Sequence, residues 1–98
     1  MKNFSKDIGV IHFIGIGGIG MSGIAEILFN LGYKVSGSDI TKSSNVDRLK
    51  KMGIKIFIGQ KSKNIDNVSI IVISSAIKED NVELVAGALN KIPIVRRA

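Results

Sequence analysis

Residues 13–25 read FIGIGGIGMSGIA, an apolar run broken by five glycines and then resumed with a different period. Val10 to Ile14, just before, reads as a first strand. After the break, Met21, Ile24, Leu28 and Leu31 recur at helical spacing with Ile27 beside them, while Ser22, Glu26 and Asn30 take the opposite side. The glycines therefore fill a strand-to-helix turn. In that context Gly15-x-Gly17-x-x-Gly20 has a reason at each position. Gly15 permits a tight turn, Gly17 lets the backbone approach a diphosphate, and Gly20 lets the helix lie close to the strand. Amides at the helix N-terminus, with the positive end of its dipole, then face phosphate oxygens. Gly18, Met21 and Ser22 share this turn, and Ser22 is placed either to touch a phosphate or to satisfy a nearby amide.

Working outward, the same alternation of short apolar run, turn and helical segment repeats, which is how an α/β chain reads. Gly32 stops the first helix, and Lys34 to Gly37 is a second strand. Ser44 with Asp47 resembles a capping box opening a helix through Met52, closed by Gly53. Ile54 to Ile58 alternates around Lys55 and suits an edge strand, whereas Val68 to Ile73 is almost continuously apolar and suits a central parallel strand covered on both faces. Asp80 with Glu83 makes another cap signature, followed by Val82, Val85, Ala86 and Leu89 on one helix face. Ile92 to Val95 is a fifth strand whose Pro93 favours an edge or a strand start. The expectation is a Rossmann-like, doubly wound parallel sheet of about five strands in the order 3-2-1-4-5, filling residues 1–98 as one domain.

Composition narrows the function classes. The 98 residues include no cysteine, which removes disulfides and thiolate metal sites and fits a reducing compartment, the cytoplasm by default. The N-terminal stretch has no secretory h-region or cleavage site, and no apolar run approaches the roughly 18–20 residues that cross a bilayer. The net charge of +6 comes entirely from Lys42 to Lys63, where Lys42, Arg48, Lys50, Lys51, Lys55, Lys61 and Lys63 face only Asp47. A solvated helix face and a lysine-guarded edge strand explain that excess. Phe57 alone is too little aromatic surface for nucleic acid, and attraction of an anionic small ligand is the remaining reading.

Three further positions bear on a site. Asp39 follows Gly20 by 19 residues at the end of the second strand, where a carboxylate accepts hydrogen bonds from ribose hydroxyls. Ser74 and Ser75 follow the fourth strand, so in a 3-2-1-4-5 sheet their loop faces the glycine turn across the ligand crevice. Plainer readings stand beside these: a turn without a ligand, a turn aspartate, and turn-forming serines. His12, the sole histidine, has no sequence neighbour to act with and reads as a structural histidine with its ring hydrogen-bonded. No catalytic residue and no metal ligand is assigned.

The run from His12 to Ala25, with Gly32-Tyr33, Val35 to Asp39, Ser74-Ser75-Ala76-Ile77 and Pro93 to Ala98, closely resembles the N-terminal domain of the Mur ligases. The resemblance spans essentially the whole chain, and GGxGMSGIA is far more specific than GxGxxG. It is nearest to the members that use ATP and Mg²⁺ to join L-alanine to UDP-N-acetylmuramate in peptidoglycan synthesis, ahead of those that reattach recycled murein peptides. It implies that the glycine loop takes the diphosphate, Asp39 the ribose, and that the strand-four serines lie near the uridine. Where the family carries a histidine near the uracil, this chain has Gln60, which can still donate and accept.

The resemblance also implies a central ATP-binding domain and a C-terminal domain beyond these residues. No GxxxxGK[ST] loop occurs in the sequence, and the chain stops immediately after its fifth strand. The expectation is therefore a nucleotide-sugar-binding piece of a longer ligase that catalyses nothing by itself. The alternative is an NAD-binding regulatory or dehydrogenase domain, whose fingerprint the glycine turn and Asp39 also satisfy.

Overall fold

The computed structural model describes residues 8–97. Residues 1–7, which belong to the N-terminal stretch read above for a leader, and Ala98, the last residue of the resemblance, lie outside the described residues. The elements run β1 (Val10–Ile14), α1 (Met21–Asn30), β2 (Lys34–Asp39), α2 (Ser44–Met52), β3 (Lys55–Ile58), a 3₁₀ helix (Ser62–Ile65), β4 (Val68–Ser74), α3 (Val82–Leu89) and β5 (Ile94–Arg97). All strand pairs are parallel and the order is β3-β2-β1-β4-β5, as the sequence predicts.

Side-chain alternation divides the sheet's two faces. Ile11 and Phe13 of β1, Val35 of β2 and Val72 of β4 join Met21 and Ala25 of α1 and Leu49 of α2 in one core. Ile14 of β1 with Ile71 and Ile73 of β4 meets Leu84 of α3 and Ile65 of the 3₁₀ helix on the other. β4 contributes to both, which explains its unbroken apolar run. Because α1 leaves β1 toward one face and α3 leaves β4 toward the other, the carboxyl ends of β1 and β4 part around a crevice. The basic residues of 42–63 are all exposed, with Lys55 on the edge strand 5.2 Å over the Phe57 ring and Arg48 paired with Glu26 across α1 and α2. No helix among the described residues is long and apolar enough to cross a membrane.

Several local expectations need correction. The cap of α2 is Ser43, whose hydroxyl accepts from the Val46 N–H, so Ser44 is already helical. α3 is capped by Asn81 rather than Asp80, and it buries Glu83, Leu84 and Gly87. Val82, Val85 and Leu89, expected on its inner face, are exposed, as are Ile27 of α1 and Leu31 just after it. α3 is apolar nearly all round, so periodicity alone does not choose its buried side. Gly87 lets the helix sit tightly on the sheet, since a Cβ there would stand 2.3 Å from Ile71 Cδ1. The fifth strand begins at Ile94; the Pro93 carbonyl before it accepts from the Ile71 N–H.

Candidate functional site

The glycine turn is held from below by β2. The Ser38 carbonyl accepts from the N–H groups of Gly15 at 2.9 Å and Ile16 at 3.0 Å, and Gly18 N–H closes the turn on the Gly15 carbonyl at 3.0 Å. Gly15 and Gly20 adopt φ of 78° and 82°, a region that side chains disfavour. Gly17 has a different constraint. Its N–H donates to Asp39 Oδ2 at 2.8 Å, and a Cβ there would stand 2.9 Å from both that oxygen and Val46 Cγ2. Its bareness thus serves the contact with β2 and α2. Among the described residues no acceptor meets the N–H groups of Ile19 and Gly20, which lead into α1. Met21 and Ser22 are buried beneath the turn, Met21 within the core. Gly18 is exposed.

Asp39 stands at the carboxyl end of β2. Beyond the bond from Gly17, its Oδ1 accepts from the Ile40 N–H at 2.9 Å. A carboxylate offers about four lone-pair sites, so two acceptor positions remain. Beside it opens a cleft of about 360 Å³ lined by Gly15, Asp39, Ile40, Gln60 and the segment Ala76 to Asn81 except Glu79. Gly15, Asp39 and Gln60 are thus brought together from β1, β2 and the loop after β3. Ser74 and Ser75 do not line this cleft; Ser74 Oγ accepts from the Ala76 N–H at 3.3 Å, shaping the loop that does, and Ser75 is exposed. With Asp39 and Asp80 against Lys78, the cleft suits a neutral hydrogen-bonding group better than an anion. Positive charge lies instead at the glycine turn, where Arg97 Nη2 comes 3.6 Å from the position of a Gly20 Cβ. A larger hollow of about 570 Å³ along the outer side of α2 is remote from the strand ends.

The residues missed in the sequence lie at the start of α3. Asn81 lines the cleft, and its signal was a good N-cap residue immediately beside the Asp80 that drew the cap assignment. Glu83 is fully buried and collects four donors. Oε1 accepts from His12 Nε2 and Ser38 Oγ, each at 2.7 Å; Oε2 accepts from Asn64 Nδ2 at 2.8 Å and the Lys61 N–H at 3.2 Å. Burial raises the Glu83 pKa, but the bonds from His12, Asn64 and Ser38 outweigh it and hold the carboxyl below its ordinary value. With Glu83 ionised, His12 Nε2 carries a proton, and Nδ1 meets Ser36 Oγ at 2.8 Å. His12 is therefore a buried, doubly bonded ring, the structural role its sequence position suggested. The network ties α3 to β1, β2 and the loop carrying Gln60.

Residues 10–98 match the sequence model of the Mur ligase family, catalytic domain. The chain is 61% identical over 98 residues to the UDP-N-acetylmuramate--L-alanine ligase of Parvibaculum lavamentivorans, covering 100% of this chain and 20% of that protein. The Rickettsia prowazekii protein of the same name is 59% identical over 98 residues, again 100% of this chain and 20% of the relative. Among solved structures, UDP-N-acetylmuramate-alanine ligase from Thermotoga maritima superimposes with a TM-score of 0.87 at 37% identity, covering 91% of this chain and 21% of that one. The chain thus spans about one fifth of the length of these relatives.

Proposed function

The chain belongs to the Mur ligase family, and on that premise we propose that it is the domain that holds UDP-N-acetylmuramate in a cytoplasmic ATP-dependent ligase that adds L-alanine to it during peptidoglycan synthesis. The observation that carries this reading is the convergence of Gly15, Asp39 and Gln60, from three separate elements, on one cleft at the carboxyl ends of β1 and β4.

In this proposal the unengaged N–H groups of Ile19 and Gly20, with Gly18 beside them and the Arg97 guanidinium close by, receive the diphosphate. Asp39 uses its remaining lone pairs for ribose hydroxyls. The base enters the cleft between Asp39 and the segment after β4, with Gln60 on its far wall and Ser74 and Ser75 shaping or flanking the loop. Met21 and Ser22 support the turn from beneath. The chain's own task is to bind and orient. No group of three or more His, Asp or Glu side chains that could hold a metal gathers among the described residues, and no ATP-phosphate loop occurs in the sequence. The proposal assigns ATP and Mg²⁺, with L-alanine, to the rest of the full-length ligase.

Calorimetric titration of the chain with UDP-N-acetylmuramate and, separately, with NAD tests the reading. Saturable heat with the UDP-sugar and none with NAD is the expected result. Saturation by NAD alone would move the chain to the dinucleotide-binding domains, and silence with both would remove the binding role.

A further inference from the structure

The cleft wall at Gln60 has a hydrogen-bonding polarity that is set by the start of α3 through Asn81. The N–H groups of Glu83 and Leu84, at the start of α3, both point at one atom of the Asn81 side chain, at 2.9 and 3.2 Å. Backbone N–H groups can only donate, so that atom must be the amide oxygen, and the Asn81 Nδ2 must face the other way. Nδ2 then donates to Gln60 at 2.7 Å, which fixes the Gln60 atom it meets as Oε1. The remaining group of Gln60 is Nε2, a donor with no partner among the described residues, on a residue that lines the cleft. A free glutamine would present either end to a ligand; this one has its Oε1 engaged and only its NH₂ left to offer.

We infer that Asn81 is a positioning and specificity-determining residue: by fixing Gln60 as a donor, it makes the cleft select a base that offers a carbonyl oxygen over one that offers an amino group. This rests on the nucleotide-binding reading above. Uracil and cytosine share the carbonyl at C2 and differ in this way at C4, where the exocyclic group is an acceptor oxygen in the first and a donor amine in the second. In this inference Gln60 Nε2 donates to O4 of uracil, whereas against N4 of cytosine two donors face each other and one loses its partner to burial. The cap on α3 and the choice of base are thereby linked through one asparagine.

The test compares dissociation constants for UDP and CDP by calorimetry on the wild-type chain and three variants. Asn81→Asp keeps an oxygen for the Glu83 and Leu84 N–H groups, since aspartate caps as well as asparagine. It cannot donate to Gln60, so Gln60 turns to donate to it and presents Oε1 to the cleft. Gln60→Glu leaves Asn81 donating and puts an acceptor in the same place. Lys78→Gln changes the cleft charge by the same single unit without touching the relay. Wild type should favour UDP over CDP by about tenfold, the worth of one matched against one mismatched hydrogen bond. Asn81→Asp and Gln60→Glu should abolish or reverse that preference, while Lys78→Gln changes both affinities together and keeps their ratio. An unchanged ratio in Asn81→Asp and Gln60→Glu, or equal binding of UDP and CDP by wild type, would overturn the inference with the binding role intact. Absence of UDP binding by wild type would instead overturn the proposed function and this inference with it. Should Asn81→Asp fail to fold, shown by its amide spectrum, the ratio in Gln60→Glu decides.

Discussion

Replacing Glu83 by glutamine changes one atom of a fully buried group, and its cost follows from the donors around it. The carboxylate accepts from His12 Nε2 and Ser38 Oγ on one oxygen and from Asn64 Nδ2 and the Lys61 N–H on the other. A glutamine keeps one oxygen. With its NH₂ toward Asn64 and Lys61, two donors lose their acceptor. With it toward His12 and Ser38, both must become acceptors, His12 moving its proton to Nδ1 and the Ser38 hydroxyl turning, and the charge-assisted bonds they now make are lost. The Lys61 N–H has no freedom to turn, and Asn64 cannot flip without setting its oxygen against the Gly59 carbonyl, to which its Nδ2 also donates at 3.0 Å. Each buried group left without a partner costs about 1–3 kcal/mol, and loss of the charge weakens the bonds that remain. The expected loss is roughly 2–4 kcal/mol, against the roughly 5–15 kcal/mol that holds a typical domain together. In a domain of this length that lowers Tm by about 10–30 °C. Thermal and urea unfolding followed by circular dichroism at pH 7 would read it. Glu79→Gln, an exposed acid on the same segment, serves as reference and should stay within about 0.5 kcal/mol of wild type. A Glu83→Gln change as small as that of Glu79→Gln would refute the view that this carboxylate anchors α3 to the sheet.

Three further outcomes follow from the same geometry. Because the folded-state pKa of Glu83 lies below its ordinary 4.5, its stabilisation is complete above that pH and is lost as pH falls through the lower folded-state value. The stability gap between wild type and Glu83→Gln, measured by urea unfolding across a pH series, should therefore be constant near neutrality and close on acidification below about 4.5. Gly37→Ala would place a Cβ 2.5 Å from Ile16 Cδ1 and 2.7 Å from Ile16 Cβ, against a residue whose own N–H is pinned to Ser38, so urea unfolding should show a loss of about 1–3 kcal/mol. Gly23→Ala, at an exposed position in α1 where an added Cβ meets nothing within 4 Å, should instead raise Tm, corresponding to a gain of about 0.5–1 kcal/mol from helix propensity.

The order of the sheet was legible because its signals are local: each strand is a short apolar run, and β4, apolar on both faces, marks itself as central. The strand-to-helix turn at Gly15 to Gly20 was legible for the same reason. α3 was not, because the reason Glu83 points inward is His12, 71 residues away, and no pattern within the helix records it. The 3₁₀ helix escaped notice because Ser62, Lys63 and Asn64 read as a polar loop, although Asn64 and Ile65 are buried. Asn81 was hidden by its neighbour: Asp80 and Glu83 make a familiar cap spacing, and only the direction of the chain entering α3 shows which residue turns its side chain back on the helix. Gly17 fits its fingerprint position, yet in the structure its missing side chain makes room for Asp39 and Val46.

The most direct measurement is a two-dimensional amide NMR titration of the chain with UDP-N-acetylmuramate, following every assigned N–H. Saturable shifts should concentrate at Gly15 to Gly20, Asp39 to Ile40, Gln60 and Ala76 to Asn81, with the outer side of α2 silent. Shifts gathered instead around Ser44, Arg48 and Lys51, beside the larger hollow, or no saturable shifts at all, would contradict a nucleotide-sugar site at the carboxyl ends of β1 and β4.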